Sequence, residues 1–413
     1  MSLSYVLQLG VHYKLQEIGG SKMEFALKKE KTSLKVVFIS YYFLIFFGIG
    51  GLFPLLSVYL SDVVKLSGTQ VGIIMSISPV VMIFAQPLWG IISDYTQQPR
   101  LVLTITLLCT GIAGFLFSLT TDYYVFVLLS ALLAFFQSSL IPISDSITLN
   151  YVQKVHGDYG SIRLWGAIGF AISVLTVGRL AEVFGLHVIF YVFAIILVLA
   201  SYLARYLPKE SQTMQVRLRD GVSQLVKMPK FVLFLVITFL IFGPIYANNF
   251  YFGLYITDIG GTLTGVGLAF LFAAGSEAPF MKVAKAWISR FGMLHILLLS
   301  AFISGVRWLF YFMEPPLGAV YATTVAQGFS VGLFIPAALQ YVRDLAPVHV
   351  RVTAVSIYAA VGNGLGSWFC TFFGGLILET YTTSTVYGFF GLLTFLGCAL
   401  TLLLRNIEQK ERS

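Results

Sequence analysis

The stretch IPISDSITLNYVQKVHGDYGSIRLWG, residues 141–166, places two charged side chains where apolar ones are expected. Asp145 ends an apolar run that begins near Tyr123, and Arg163 opens the next apolar run eighteen residues later. An ionised side chain inside a membrane segment costs about 3 kcal/mol on insertion scales, so it normally faces a bundle interior or a water-filled cavity. The stretch therefore predicts membrane helices whose charged groups lie on a pathway for ions or substrate.

The composition of the whole chain agrees with this interpretation. Of its 413 residues, 58% are hydrophobic and 11% are charged, and the mean hydropathy is +0.87. In soluble domains about a quarter of the residues are charged, so an ordinary soluble protein is excluded. Apolar stretches of the roughly 20 residues that cross a bilayer recur along the chain, and their continuity favours helices over the short alternating strands of a barrel. The twelve predicted spans are 34–60, 69–94, 101–119, 124–152, 162–184, 188–207, 231–256, 263–283, 294–313, 317–342, 353–378 and 386–404.

The basic residues indicate how these helices are oriented. With the amino terminus in the cytoplasm, all of the 26 Lys and Arg except Lys65, Arg179 and Arg307 lie in cytoplasmic segments or at the cytoplasmic ends of helices. This bias predicts a protein of the inner or plasma membrane with both termini in the cytoplasm. It also accounts for the formal net charge of +8 without a polyanionic partner, so we expect no nucleic-acid binding.

The sequence carries no catalytic or cofactor motif. Cys109, Cys370 and Cys398 fall within apolar stretches, where a thiol behaves as a small hydrophobe, and the five histidines have no metal-ligand spacing. The phosphate-binding pattern GxxxxGK does not occur. We therefore expect no cofactor, no metal and no enzymatic activity.

A polar segment at 208–230 divides the predicted spans into six and six. It holds five basic residues and is the longest polar gap inside the chain. Similar tetrapeptides, NYVQ at 150–153 and QYVR at 340–343, lie at the connections after the fourth and tenth spans. Such a repeat fits a transporter built from two related halves, with its site at their interface near the middle of the bilayer. The predicted organisation is a cytoplasmic tail at 1–33, six-helix bundles at 34–207 and 231–405 joined by a cytoplasmic loop at 208–230, and a cytoplasmic tail at 406–413.

Six motifs point to a known family. They are PLWGIISDYTQQPR at 87–100, PISD at 142–145, DYGSIRLWGAIGF at 158–170, SEAPF at 276–280, GVRW at 305–308 and VGNGLGSW at 361–368. With these motifs, of which DYGSIRLWG is the most specific, the chain resembles the major facilitator superfamily over 34–405. It is most similar to the branch that includes the phenylpropionate permease and the nucleoside and oligosaccharide proton symporters. The resemblance implies an all-α membrane protein of two pseudo-symmetric six-helix bundles, proton-coupled symport and a functional monomer.

The loop between the second and third spans departs from the superfamily's pattern. Gly90 and Asp94 are present, but a tyrosine and two glutamines replace most of the basic-Gly-basic cluster that usually follows. We expect Gly90, Asp94 and Arg100 to take part in gating, through looser contacts than usual. The fifth span also lacks the Gly-Pro-containing motif of many drug exporters, which disfavours an antiporter.

Glu277 is the main candidate for proton coupling. It lies fourteen residues into the eighth span, about 21 Å from the outer edge and past the middle of the hydrocarbon core. A carboxyl that is buried there can take up and release a proton near neutral pH, as coupling requires. The alternative is a permanently ionised structural pair with Arg307.

Arg307 lies about 20 Å from the cytoplasmic end of the ninth span, where its side chain either points inward or extends to the outer surface. The GVRW motif is similar to one in the symporter branch and favours the inward position. In such symporters the arginine competes for the carboxylate, which helps the carboxyl to release its proton, or it binds an anionic group of the substrate. We assign Arg307 to proton coupling with Glu277, and Asp145 is a further candidate.

Asp145 and Arg163 resemble the acidic residue on helix four and the arginine on helix five that bind substrate in the lactose permease. The resemblance implies a substrate-binding role for Arg163. The alternative is structural, with Arg163 as an anchor at the cytoplasmic surface and Asp145 as a partner of Lys154 or a helix contact.

Polar side chains in other spans are candidates for a substrate cavity. Asn248 and Asn249 stand between Tyr246 and Tyr251 and follow Pro244, a combination that suits a gate or a ring-shaped substrate. The alternative for each polar residue is a hydrogen bond between helices, worth about 0.6 kcal/mol on average. The candidate cavity residues are Gln137, Tyr246, Asn248, Asn249, Gln327 and Asn363.

We interpret the chain as a secondary transporter that moves a small organic solute, namely an aromatic acid, a nucleoside or a sugar, together with protons by alternating access. One elementary charge moved through a membrane potential supplies about 2.3 kcal/mol per 100 mV, so no nucleotide is needed. The alternatives are a proton-driven antiporter that exports drugs or metabolites and a membrane sensor or scaffold that does not transport. The expected partners are the solute, protons and the lipid bilayer.

Overall fold

The computed structural model describes residues 34–155, 157–208, 223–347 and 350–412. The predicted tail at 1–33 and most of the predicted loop at 208–230 lie outside these residues. The described residues form twelve apolar helices and no strand.

These helices confirm the predicted all-α membrane fold. Eleven of them are long and apolar enough to span a membrane, and the sixth is a shorter apolar helix. The chain is therefore a multi-pass membrane protein. The helices, named α1 to α12 in chain order, are Leu34–Val63, Gly68–Thr96, Pro99–Leu119, Tyr123–Val155, Tyr159–Phe184, Val188–Ala204, Pro229–Asp258, Leu263–Phe291, Met293–Phe312, Leu317–Leu345, Thr353–Thr380 and Thr383–Arg412.

Local sequence signals set several helix ends. The side chains of Ser67, Asp158 and Thr262 cap α2, α5 and α8, because each accepts hydrogen bonds from backbone N–H groups of the first turn. Gly185 and Gly292 follow α5 and α8 with φ of +88° and +85°, a region that glycine adopts without steric cost.

The last helix is longer than its predicted span of 386–404. It begins at Thr383 and continues to Arg412, so residues 406–412, which were predicted to lie in a separate tail, are helical. Polar partners on other helices hold this extension. Lys230 at the start of α7 forms an ion pair with Glu411, and the Tyr341 hydroxyl of α10 donates to Glu408 Oε1 at 2.7 Å. Hydropathy detects only the part of α12 that lies in the bilayer.

The repeated tetrapeptides occupy equivalent places in the two halves. The rings of Tyr151 on α4 and Phe38 on α1 stack with their centroids 4.8 Å apart. In the second half, Tyr341 on α10 packs on Phe234 of α7 with a centroid distance of 4.5 Å. These are the tyrosines of NYVQ and QYVR, so the sequence repeat marks the same helix contact in each bundle.

The two halves contact each other at one end of the molecule, which we call the distal end because it lies opposite the ends of α1 and α12 nearest the chain termini. There the Ser57 hydroxyl of α1 donates to the Phe250 carbonyl of α7 at 2.5 Å. The rings of Phe53 and Phe250 meet edge to face, 6.5 Å between centroids. Gly253 packs directly on α1, since an added Cβ would lie 2.3 Å from the Pro54 carbonyl. The structure is therefore closed at the distal end.

Candidate transport site

A charged cluster lies in the amino-terminal half, where α1, α4 and α5 meet. The Tyr42 hydroxyl donates to Asp145 Oδ1 at 2.5 Å, and Arg163 Nε lies 3.9 Å from the same oxygen. Tyr42 also hydrogen-bonds the Thr148 hydroxyl, one turn further along α4, at 3.1 Å. The side chains of Asp145 and Arg163 remain 28% and 31% exposed, so both charged groups are accessible to a ligand.

Aromatic rings of α1 complete this cluster. The guanidinium carbon of Arg163 lies 4.0 Å from the ring centroid of Phe46 and 5.6 Å from that of Tyr42. These two rings are four residues apart on α1, so they lie on one face of the helix. Gly166 gives Phe46 the room it needs, because a Cβ at that position would lie 2.7 Å from the ring.

Sequence analysis missed Tyr42 and Phe46. Both belong to the run YYFLIFFG at 41–48, in which aromatic side chains resemble ordinary core residues. Their i, i+4 spacing was the available signal, but it does not reveal that an arginine from another helix stacks on them.

The Asp145–Arg163 cluster combines an acceptor, a planar donor and ring faces. A carboxylate accepts hydrogen bonds from hydroxyl groups, and a guanidinium donates them in a fixed geometry. Stacking on aromatic rings, worth about 0.5–2 kcal/mol, holds the guanidinium plane in place. Such a set suits a ring-shaped ligand that carries many hydroxyl groups.

Glu277 lies in the carboxyl-terminal half on α8 and is half-buried. Within the part of the chain that the structure describes, its carboxylate has no hydrogen bond and no ion pair. Tyr246 of α7 lies near Glu277 and beside Asn363 of α11, so three of the predicted site residues come together here. The backbone of Glu277 packs closely on α10, since a Cβ at Gly328 would lie 2.7 Å from its nitrogen.

Asn363 belongs to an irregular segment of α11. Residues Ala360–Gly366, with the sequence AVGNGLG, form a π-helical segment between two α-helical segments. Such wide turns interrupt the regular backbone hydrogen bonds and occur frequently at functional sites. The Asn363 side chain is exposed, so its amide is accessible to a ligand.

Arg307 lies inside the carboxyl-terminal half and is only 4% exposed. Its Nη1 donates to Gln327 Oε1 at 2.7 Å. Its guanidinium carbon lies 4.1 Å from the ring centroid of Trp308 and 5.6 Å from that of Tyr311. The side chain therefore points inward and does not extend to the outer surface.

Gln327 links Arg307 to a second pair of polar side chains. Its Oε1 also accepts a hydrogen bond from Asn248 Nδ2 at 3.4 Å, and Asn248 Oδ1 accepts one from the Tyr387 hydroxyl at 2.9 Å. Asn248 is fully buried. Asn248 and Gln327, which were predicted to line a substrate cavity, thus hold Arg307 in this structure, because their amides are used within the bundle.

Arg307 and Glu277 do not form an ion pair among the described residues, so the structural pair considered for Glu277 is not observed. Arg307 Nε also has no hydrogen-bond partner. A buried cation is costly unless it is compensated, and here neutral acceptors and ring faces surround the guanidinium. The carboxyl-terminal half therefore contains a fixed positive centre and, separately, a carboxyl without a partner.

The remaining candidates lie apart from these contacts. Gln137 and Asn249 are half-buried. At the end nearest the termini, Arg100 Nη1 donates to a backbone carbonyl just after α6 at 3.3 Å, which ties α3 to α6. Over the described ranges Arg100 makes no ion pair with Asp94, and a Cβ at Gly90 would meet nothing within 4 Å.

Relatives of known sequence show the family of the chain. Residues 34–389 match the MFS_1 like family. A maltose permease of Geobacillus stearothermophilus is 52% identical over 385 residues, which cover 93% of this chain and 98% of that permease. An uncharacterized transporter of Bacillus subtilis (strain 168), YwbF, is 43% identical over 374 residues, which cover 90% and 94% of the two chains.

Solved structures show the same architecture. The crystal structure of the nucleoside transporter NupG superposes with a TM-score of 0.81 at 19% identity, over 90% of this chain and 98% of that one. A bacterial homologue of the human lysosomal transporter Spinster has a TM-score of 0.72 at 12% identity, with coverage of 91% and 97%. At these identities the likeness shows the fold alone, and it confirms the two six-helix bundles. The chain belongs to the MFS_1 like family of major facilitator transporters, whose members are transporters and not enzymes.

Proposed function

We propose that this transporter is a proton-coupled symporter for a sugar, with an oligosaccharide of the maltose class as its substrate. The observation that carries the proposal is the accessible cluster of Asp145, Arg163 and Phe46. The high identity to a maltose permease favours a sugar over a nucleoside or an aromatic acid.

Each member of the cluster has a role in sugar binding. Asp145 accepts hydrogen bonds from sugar hydroxyl groups, and Arg163 donates to sugar oxygens. Tyr42 and Phe46 fix the positions of these two charged groups. An aromatic acid fits less well, because its carboxylate would be repelled by Asp145. We therefore assign Asp145, which was a proton-coupling candidate, to the substrate.

Glu277 carries the coupled proton in this proposal. A carboxyl that no cation neutralises can be protonated in one stage of the cycle and ionised in another, and intramembrane carboxyls commonly form proton relays. Tyr246 lies between Glu277 and the exposed amide of Asn363, so it can link the protonation of Glu277 to an accessible polar group. Proton uptake on one side and release on the other would then drive accumulation of the sugar.

Arg307 supplies a fixed positive charge to the same half. A guanidinium does not lose its proton in proteins, so it can act only through its field and its hydrogen bonds. Gln327 and Asn248 keep it in place. During a rearrangement of the halves, a shift of Arg307 toward Glu277 would favour release of the proton.

The orientation completes the proposal. The bias of basic residues supports an orientation with both termini in the cytoplasm, in which the closed distal end faces the outside. Gly90, Asp94 and Arg100 then lie at the cytoplasmic end, where we assign them to gating. Residues 34–207 and 231–405 act as two bodies joined by the segment 208–230, and one chain contains both, so a monomer suffices.

Counterflow in proteoliposomes tests the substrate. Vesicles loaded with unlabelled maltose, uridine or phenylpropionate are diluted into the same compound in radiolabelled form. We expect transient accumulation of maltose alone, and we expect Asp145→Asn to abolish it. Thr257→Val, which removes a hydroxyl bonded only within its own helix, is the matched control and should behave as the wild type.

Other outcomes would select a different function. Accumulation of uridine alone would identify a nucleoside transporter. Binding of maltose without any flux would indicate a sensor or scaffold, and sugar-dependent proton efflux from everted vesicles would indicate an antiporter. Each of these results contradicts sugar symport.

A further inference from the structure

Two helices end in the same short pattern at the distal end. α5 reads GRLAE at 178–182, and α11 reads GLILE at 375–379, so each has a glycine four residues before a glutamate. α5 and α11 are the fifth helices of the two halves. Both glutamates lie against a helix of the opposite half.

Glu182 binds the amino terminus of α8. Its Oε1 accepts a hydrogen bond from the Thr264 backbone N–H at 2.8 Å, and its Oε2 accepts one from the Thr264 hydroxyl at 2.8 Å. Arg179, one turn earlier on α5, pairs with the same carboxylate at 3.0 Å and orients it.

Glu379 makes the equivalent contact with α2. Its Oε2 accepts a hydrogen bond from the Thr69 backbone N–H at 2.8 Å. Thr69 and Thr264 are each the second residue after the capping side chain, which is Ser67 in α2 and Thr262 in α8. In each helix the capping side chain accepts from the N–H group of the third residue after it, Gln70 in α2 and Gly265 in α8. The glutamate from the other half accepts from the N–H group of the second residue, which the cap does not bond.

The glycines allow this approach. A Cβ at Gly178 would lie 2.5 Å from the Leu263 carbonyl oxygen, and a Cβ at Gly375 would lie 2.5 Å from the Gly72 Cα. Side chains at these positions would force the helices apart. Each glutamate can therefore reach the helix terminus only because a glycine one turn earlier lets the backbones touch.

We infer that Glu182 and Glu379 are a matched pair of latches that hold the two halves together at the distal end. A carboxylate is stabilised at a helix amino terminus by unpaired N–H groups and by the helix dipole, so each latch favours the state in which the distal end is closed. Release of both latches opens the transport site to the distal side. The inference rests on transport by movement of the halves and is independent of the substrate.

The two latches differ in strength. Both glutamates accept a backbone hydrogen bond and lie beside hydroxyl groups of the opposite half, but only Glu182 is also oriented by an arginine one turn earlier on its own helix. Leu376 occupies the position before Glu379 that Arg179 occupies before Glu182. Loss of Glu182 should therefore open the distal end more than loss of Glu379.

Distances between spin labels test the latches in the full-length protein in nanodiscs without sugar. The three native cysteines are replaced by alanine. A distal pair is placed at Thr121 in the first half and Gly318 in the second, which is suitable because a Cβ at Gly318 meets nothing within 4 Å. A second pair at Gln98 and Ser289 reports the opposite end, since both positions are exposed there.

We expect Glu182→Ala to raise the ratio of long to short distal distances by about fivefold. This is the effect expected when one exposed carboxylate is removed from a helix amino terminus. Glu379→Ala should raise it less, and the double variant most. The pair at the opposite end should shorten in parallel, because the halves move as bodies. Glu182→Gln and Glu379→Gln keep the shape of the side chain and should give smaller changes in the same direction.

Glu314→Ala is the matched control, because this distal glutamate bonds Ser384 within its own half at 2.6 Å. It should leave the distal distances unchanged. Unchanged distances in the double alanine variant, with monodisperse protein, would overturn the inference. An equal shift in Glu314→Ala would also overturn it, because the effect would then reflect general loss of charge at this surface. Failure of maltose transport would not affect this readout.

Discussion

Arg163 and Asp145 are close but not directly hydrogen-bonded, with 3.9 Å between Nε and Oδ1, while the guanidinium lies over the ring of Phe46. A direct N–H···O bond would require about 2.7–3.2 Å. The contact is therefore ionic, and a ligand can insert its hydroxyl groups between the two side chains. The ring on the other side prevents Arg163 from moving away.

The first prediction concerns this cluster. Asp145→Asn should weaken maltose binding by about tenfold or more, because hydrogen bonds to a charged group contribute roughly 1.5–3 kcal/mol. Phe46→Ala should weaken it about threefold by releasing the guanidinium, in line with cation–π energies at partly exposed sites. Calorimetric titration of the purified protein measures both.

Tyr41→Phe is the control for these variants, because Tyr41 is fully buried and its hydroxyl bonds Ser144 rather than Asp145. Its affinity for maltose should stay within twofold of the wild type. Equal affinities for Asp145→Asn and the wild type would remove the cluster from the sugar site.

The second prediction concerns the network around Arg307. Gln327→Leu deprives Arg307 Nη1 and Asn248 Nδ2 of their shared acceptor, which should cost about 1–3 kcal/mol of stability and lower the thermal unfolding temperature. Proton-driven uptake should fall with it. Gln137→Leu makes the same chemical change outside the network and should lower the thermal unfolding temperature much less.

Substitution of Arg307 itself separates the role of its positive charge from the role of its planar hydrogen-bonding group. Arg307→Lys keeps the charge but loses the planar fork, so it should retain part of the proton-driven uptake. Arg307→Ala should lose that uptake while downhill exchange survives better. Normal uptake by Arg307→Ala would show that the buried charge has no part in coupling.

The third prediction concerns the distal glycines. Gly178→Ala and Gly375→Ala place a Cβ at 2.5 Å from backbone atoms of the opposite half, so the distal end should open in the spin-label experiment. Gly275→Ala on α8 is the control, because a Cβ there meets nothing within 4 Å. Distal distances that match those of the control would show that the helices can adjust without opening.

The fourth prediction is that both termini are cytoplasmic. A fluorescent or enzymatic reporter fused after Ser413 should report a cytoplasmic location, and so should one fused after Lys230. In this orientation all but three of the 26 basic residues lie on the cytoplasmic side, as the distribution of Lys and Arg in membrane proteins favours. Reporter activity outside the cell at either position would reverse the assignment of the distal end.

The helices were predictable because their length and hydropathy are direct consequences of the bilayer. The same argument fails where a helix leaves the bilayer, and the polar extension of α12 to Arg412 was therefore missed. The wide turn at Ala360–Gly366 was also missed, since glycines signal close packing but do not specify the hydrogen-bond pattern.

The charged members of the candidate site were predictable one by one, because an ion in an apolar span is conspicuous. Their partners were not. Phe46 resembles a core residue until Arg163 is seen to stack on it, and Gln327 resembles a cavity amide until Arg307 is seen to bond it. Glu182 lies at a helix end, where a charge is unremarkable in sequence. Contacts between helices that are far apart in the chain decide these roles.

The most direct test of the account is uptake of radiolabelled maltose by proteoliposomes under an imposed pH gradient, alkaline inside. The wild-type protein should accumulate maltose above its external concentration, and a protonophore should abolish the accumulation. Glu277→Gln imitates the protonated acid, so it should still bind maltose and exchange it in counterflow but should not accumulate it. Accumulation by Glu277→Gln equal to that of the wild type, or wild-type uptake that ignores the protonophore, would contradict the account.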